Sequence, residues 1–223
     1  MSGDCEFCDE LQGRPGGRFQ RLYRGLAESR VVLETQHFVV MPTVGQIFSG
    51  SMLVLPKEHI ETIARMSPKL RDEFANVIST VADSIRPWGV PTFFEHGALS
   101  CTGGSCGVYH AHMHIVPLPS RVQPSHFLGE RSFSGLNVSD ALAVLTNSRQ
   151  YLLFGDEQEV AFGDVDRLGF LPPSQYLRRR LTEHFALDHS WNWRDVSGPE
   201  PELMASLALF GEKNVSQLTC HPT

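Results

Sequence analysis

The sequence predicts an α+β fold, an antiparallel sheet with helices packed on it, and three observations carry that expectation. Residues 108–117 read Val-Tyr-His-Ala-His-Met-His-Ile-Val-Pro, an alternation with the two-residue period of a half-buried strand. Short runs rich in β-branched and aromatic residues recur upstream at hairpin spacing. One longer segment, opening at Ser67-Pro68, places its apolar residues at helical spacing instead.

In chain order, residues 1–17 hold Cys5 and Cys8 and then Gly13-Arg14-Pro15-Gly16-Gly17, which reads as a loop. Phe19 to Ala27 suits a short helix. Val31-Val32-Leu33 and Phe38-Val39-Val40-Met41 read as a hairpin, and Met52 to Leu55 as a third strand closed by Pro56. Ser67 is placed to cap a helix with Pro68 at its first position, and Leu70, Phe74, Val77, Ile78, Val81 and Ile85 form its apolar face up to Pro87. Thr92 to Glu95 reads as a strand. Gly97 to Gly107 is a small-residue loop leading into the histidine segment.

Past Pro119 the character changes. Residues 120–137 are polar and irregular, Asp140 to Leu145 suits a short helix, and Tyr151 to Phe154 with Val160 to Phe162 reads as a hairpin turning at Asp156-Glu157. Leu177, Leu181 and Phe185 mark a helix over 174–187, and Pro199 to Phe210 a last one. The expected division is therefore residues 1–120 as one domain and 121–223 as an extension packed on it.

Bulk properties exclude several classes. A net charge of −6 argues against a general affinity for nucleic-acid backbone or an anionic membrane, although a local field can still hold a small phosphate. No apolar run approaches the ~20 residues of a membrane span, and Met1 to Arg18 lacks the apolar core of a signal peptide, so the expected location is cytoplasmic. Five cysteines, an odd number, do not suggest a disulfide framework. Cys5-x-x-Cys8 instead offers two thiolates within one turn, half of a tetrahedral zinc site.

His110, His112 and His114 alternate with apolar residues, so on a strand the imidazoles share one face. At about 3.3 Å per residue the outer two sit roughly 13 Å apart, too far for one ion with bonds of about 2 Å. The three must divide their labour. A neutral imidazole is a good nucleophile toward phosphorus at pH 7, provided its other ring nitrogen donates to an acceptor. Ser100 to Gly107 can present backbone N–H groups to an anion, with Ser105 the leading side-chain donor.

The segment 110–116 resembles the signature of the histidine triad (HIT) superfamily, His-φ-His-φ-His-φ-φ with φ apolar, at every position. The resemblance extends to Val54-Leu55-Pro56-Lys57-Glu58-His59-Ile60 and to Cys5-Glu6-Phe7-Cys8, and covers roughly residues 5–120. It implies a HIT-like fold, a homodimer and a nucleotide or nucleotide-conjugate substrate. It further implies His112 as the nucleophile that attacks an α-phosphate to give a nucleotidyl-histidine, and His114 as the orienting or phosphate-binding partner. Similarity to zinc-containing members implies a structural Zn2+ held by Cys5, Cys8, His59 and His110.

The chain departs from the family's pattern at three places. Thr43 stands where many members carry a ribose-binding acid, Glu95-His96-Gly97 where they carry Asn before Gly, and Gly107 where they carry Ser or Thr. Thr43, Glu95 and Ser105 are accordingly the candidate substrate contacts. Arg178, Arg179 and Arg180 are either phosphate-side cations supplied by the extension or a solvated helix face. Two other classes stay open. One is a metal-dependent hydrolase with zinc on His110-x-His112. The other is a nucleotide-binding protein with little turnover.

Overall fold

The structure is a computed structural model that describes residues 5–99, 108–135 and 137–218, with side chains as far as residue 210. Its elements are α1 (Glu6–Leu11), α2 (Arg18–Leu22), β1 (Leu33–Glu34), β2 (Phe38–Pro42), β3 (Met52–Pro56), α3 (Arg71–Ile85), β4 (Val90–Ala98) and β5 (Met113–Leu118). There follow α4 (Ser125–Leu128), β6 (Phe133–Gly135), α5 (Val138–Leu145), β7 (Gln150–Asp156), β8 (Val160–Asp164), α6 (Val165–Leu168), α7 (Tyr176–His184) and α8 (Pro201–Leu218).

Among the described residues one eight-stranded sheet runs β1-β2-β3-β5-β4-β7-β8-β6, and every pairing in it is antiparallel. β4 lies inside the sheet. It meets β5 on one side through Phe94 opposite His114, and β7 on the other from Thr92–Asp156 to Ala98–Gln150. Strands from both halves of the sequence thus join one ladder, and β4 reads as nearly continuous burial because it is covered on both faces.

The two faces are packed differently. On one, α3 lays Phe74, Val77, Ile78, Val81 and Ile85 against Val40, Val54, Phe93, Met113 and Ile115, and α5 adds Ala141, Leu142 and Leu145. Each large apolar side chain buried there contributes about 1.5–3 kcal/mol, so α3 alone is a major source of the fold's stability. On the other face, Phe7 of the α1 segment packs on Val39, Met41, Leu53 and Leu55, while Leu177 and Leu181 of α7 pack near Phe94, Val116 and Phe154. Between these two coverings lies a gap over β3, β5 and β4. The candidate site is there.

Two sequence expectations change in detail. Ser67 makes no side-chain cap; a 3-10 turn over Pro68–Leu70 precedes α3, because the Leu70 N–H that a cap would take donates to the Ser67 carbonyl at 3.0 Å. The histidine segment is regular strand only from Met113. Continuing the β3–β5 register would set Pro56 opposite Ala111, and proline has no N–H for the ladder. The Ala111 N–H turns instead to the Ile60 carbonyl at 2.7 Å. Among the described residues no helix is long and apolar enough to cross a membrane.

Candidate active site and metal centre

Despite the shorter strand, the alternation sorts the side chains as the sequence suggests. Ala111, Met113 and Ile115 enter the α3-side core, while His112 and His114 line a cavity on the opposite face. The His112 Nδ1 lies 2.6 Å from the His110 carbonyl. A carbonyl only accepts, so Nδ1 carries the proton and Nε2 keeps a free lone pair. Burial is the main cause that holds His112 below the ordinary imidazole range, against the opposing pull of that backbone bond. The ring is therefore neutral near pH 7. Phe7 and the His112 ring meet near-perpendicular, with centroids 5.3 Å apart and planes at 80°, a contact that restrains the plane of the imidazole.

His114 stacks on Phe94, with centroids 4.5 Å apart and planes 9° from parallel. Its centroid is 5.2 Å from that of His112. Its Nδ1 is buried with no hydrogen-bond partner, and burial drives its pKa well below the imidazole range. His96, beside Phe94's face of β4, lines the same cavity and has a second unpartnered Nδ1; burial lowers it to about 4. The Nε of Arg18, a third residue lining this cavity, is likewise buried without a partner. Such an orphaned group costs on the order of 1–3 kcal/mol, so three around one cavity mark a place where a polar ligand belongs.

The expected substrate contacts separate. Thr43 lines the cavity, its hydroxyl 3.3 Å from the Ser51 carbonyl. Glu95 does not: alternation along β4 turns it to the opposite face, where its carboxylate accepts from the Ile63 N–H at 2.9 Å and from the Tyr151 hydroxyl. Burial raises this carboxyl to about 7. The cavity contact from that stretch is its neighbour His96. Ser105 lies outside the described residues.

Cys5, Cys8, His59 and His110 converge, with ligand atoms within 4.8 Å of one another. Sγ of Cys5 and Cys8 stand 3.5 and 3.4 Å from the His110 Nδ1, and Sγ of Cys8 stands 3.3 Å from the His59 Nδ1. A tetrahedron with metal–sulfur bonds of about 2.3 Å and metal–nitrogen bonds of about 2.0–2.1 Å has S···N edges of roughly 3.6 Å, so the set fits a zinc ion. His110 Nε2 lies 2.8 Å from the Pro56 carbonyl, which places its proton there and turns the Nδ1 lone pair to the thiols. Pro56, which ends the ladder, is thus also the residue that orients His110. Phe7, between the two cysteines, couples this cluster to the His112 ring.

Among the described residues three arginines line the cavity, one paired with a carboxylate and two bonded to backbone carbonyls. Arg30 forms a bidentate pair with Glu10 at 2.7 and 2.8 Å. Arg18 donates to the Arg194 and Val196 carbonyls. Arg178, on α7, is 4% exposed and donates to the Trp191 and Gly45 carbonyls. Arg179 and Arg180 instead turn outward to Glu183, each at 2.8 Å, as a solvated face would. The arginine run is thus split, one residue inward and two outward. Phe7, His96 and the second-half residues Gln175, Leu177 and Trp193 also line the cavity and were not expected from sequence.

Comparison with known proteins follows the same segment. A family model described as HIT domain matches residues 24–120. A relative called "Protein hit" from Bacillus subtilis (strain 168) is 31% identical over 103 residues, 44% of this chain and 68% of the relative. A solved HIT family protein from Bacillus anthracis aligns at 22% identity with a TM-score of 0.42, covering 56% of this chain and 85% of that one. A Zn-bound histidine triad family protein from Mycobacterium smegmatis aligns at 19% identity with a TM-score of 0.38, over 51% and 74% of the two chains.

Proposed function

Since the chain belongs to the HIT family, we propose that it is a nucleotidyl hydrolase or transferase that cleaves a nucleoside phosphoanhydride or phosphoramidate at the α-phosphate through a nucleotidyl-histidine. One observation carries this reading: the His112 Nδ1 is committed to the His110 carbonyl, which leaves a neutral, unprotonated Nε2 in a cavity beside two imidazoles whose Nδ1 atoms have no partner.

In the first step the Nε2 lone pair forms a bond to phosphorus and the bond from phosphorus to the leaving group breaks, the leaving group taking the electron pair. In the second, water or another acceptor attacks phosphorus, the P–N bond breaks and His112 is restored. Splitting one displacement into two lowers each barrier. His114 and His96 would hydrogen-bond phosphate oxygens, a role supported by their unpartnered Nδ1 atoms and their place with Thr43 in the cavity lining. Cys5, Cys8, His59 and His110 would hold a zinc ion, whose contribution is structural: four protein ligands leave no open position for substrate. Residues 1–120 would form the HIT domain, with 121–223 as the extension that closes one wall of the site.

The alternative of a catalytic zinc shared by His110 and His112 finds no support in the geometry. Their ring nitrogens serve different partners, the His110 Nδ1 facing the cysteines and the His112 Nδ1 facing a backbone carbonyl. The test is release of nucleoside monophosphate from phosphoanhydride and phosphoramidate substrates by wild type and His112→Ala. Unchanged release by the variant would defeat the proposal.

A further inference from the structure

Arg178 lies on the buried stripe of α7, between Leu177 and Leu181, and lines the cavity from the second half of the chain. Among the described residues no carboxylate lies within ion-pair distance of it, in contrast to Arg30 and its Glu10. The nearby acid, Glu200, is already spoken for by the Tyr23 hydroxyl and the Gly45 and Gln46 N–H groups at 3.1, 2.8 and 3.0 Å. A buried cation bonded to neutral carbonyls, which Glu200 meets only through space, is a charge only partly balanced, and it lines the cavity together with His96 and His114, whose Nδ1 atoms have no partner.

The surroundings are built to hold it there. Gly45 has φ +72°, and a Cβ at that position would lie 2.7 Å from the Trp193 Cα and 3.1 Å from an Arg178 terminal nitrogen. Glycine thus lets the loop after β2 and the 191–193 segment close around the guanidinium. Gln175 adopts a left-handed φ of 57°, unfavourable for a residue with a Cβ, and its side chain ties Asn192 at 2.8 Å and the Trp193 N–H at 3.3 Å.

We propose that Arg178 binds a second phosphate of the substrate, the group that leaves when His112 takes the α-phosphate, so that the extension commits the site to phosphoanhydrides over phosphoramidates. This rests on the reading of the cavity as a nucleotidyl-transfer site. When the P–O bond to the leaving phosphate breaks, its oxygen keeps the electron pair, and the fixed guanidinium, which keeps its proton, meets the new charge. An amine leaving from a phosphoramidate departs without negative charge and gains nothing from the arginine.

Equilibrium binding of AMP and of ADP, the latter as its non-cleavable α,β-methylene analogue, to the full chain, as purified with its metal, tests this. Wild type is expected to bind ADP at least about tenfold more tightly than AMP. Arg178→Gln, which keeps a donor for the carbonyls but no charge, is expected to weaken ADP at least about tenfold and AMP by less than about threefold. Should that variant fail to fold, Arg178→Lys is expected to narrow the ADP preference at least about threefold, since the single nitrogen of an ammonium cannot reproduce the spread fork whose Nε and terminal nitrogen meet the two carbonyls. Parallel weakening of both nucleotides, an unchanged preference, or a wild type that does not bind ADP overturns the inference. Absence of a covalent adduct on His112 with the ADP preference intact would defeat the proposed reaction and leave Arg178 as a phosphate-binding residue.

Discussion

The His112 ring gives its Nδ1 proton to the carbonyl of His110, two residues back, at 2.6 Å, while the His110 ring turns its own Nδ1 to Cys5 and Cys8. One imidazole thereby serves the metal cluster while its backbone sets the tautomer of the next. Anchoring the N-terminal cysteines and aiming the nucleophile are therefore coupled through a single residue, and the first predictions follow from that coupling.

His112→Ala removes the proposed nucleophile and one ring contact of Phe7, while Cys5, Cys8, His59, His110 and the apolar core keep their own side chains. Nucleoside monophosphate release is expected to fall by roughly a thousandfold or more, with the thermal midpoint within a few degrees of wild type. Steady-state kinetics and a melting curve on the same preparation check both parts.

Protein purified without chelator is expected to carry about one zinc per chain, and Cys8→Ser to carry far less. Because a closed site acts through folding, a chelator is expected to lower the melting temperature in step with activity. Metal analysis finding less than half an equivalent in wild type would exclude the site.

Glu95 has its carboxyl raised to about 7 by burial, against about 4.5 in the unfolded chain. Between those values the folded state holds a proton that the unfolded state has lost, so stability falls as pH rises from about 4.5 to about 7 and is level above. The group's share of that fall is on the order of 3 kcal/mol. Glu95→Gln does not titrate, so the stability difference between variant and wild type is expected to move in the variant's favour over this window. Denaturant unfolding at pH 4.5 and pH 8 measures it, and the same offset at both would contradict the assignment.

Gly45→Ala introduces a Cβ into left-handed backbone and against Trp193. A cost of about 1–3 kcal/mol is expected from the backbone alone. Because the displaced atoms hold Arg178, weaker nucleotide binding should accompany it, which denaturant titration and calorimetry resolve separately.

Much of this was legible in the sequence because its signals are local. The 108–117 alternation sorts Ala111, Met113 and Ile115 from His112 and His114, and the α3 stripe names its buried residues almost one by one. What sequence missed depends on distant pairing. The irregular entry to β5 follows from Pro56 lying across the ladder, and Glu95 left the cavity because alternation along β4 gave that place to His96. Arg178 had a signal that the charge run concealed: it stands three residues before Leu181 and seven before Phe185, on the apolar stripe, while Arg179 and Arg180 do not. Phe7, between two cysteines, carried no sign that it would meet the His112 ring.

The most direct measurement is rapid acid quench of the full chain with a nucleotide labelled at the α-phosphate, followed by peptide mapping. The account predicts an acid-labile label on the peptide containing His112, absent from His112→Ala. Turnover of the same nucleotide with no label on that peptide at any quench time would contradict it.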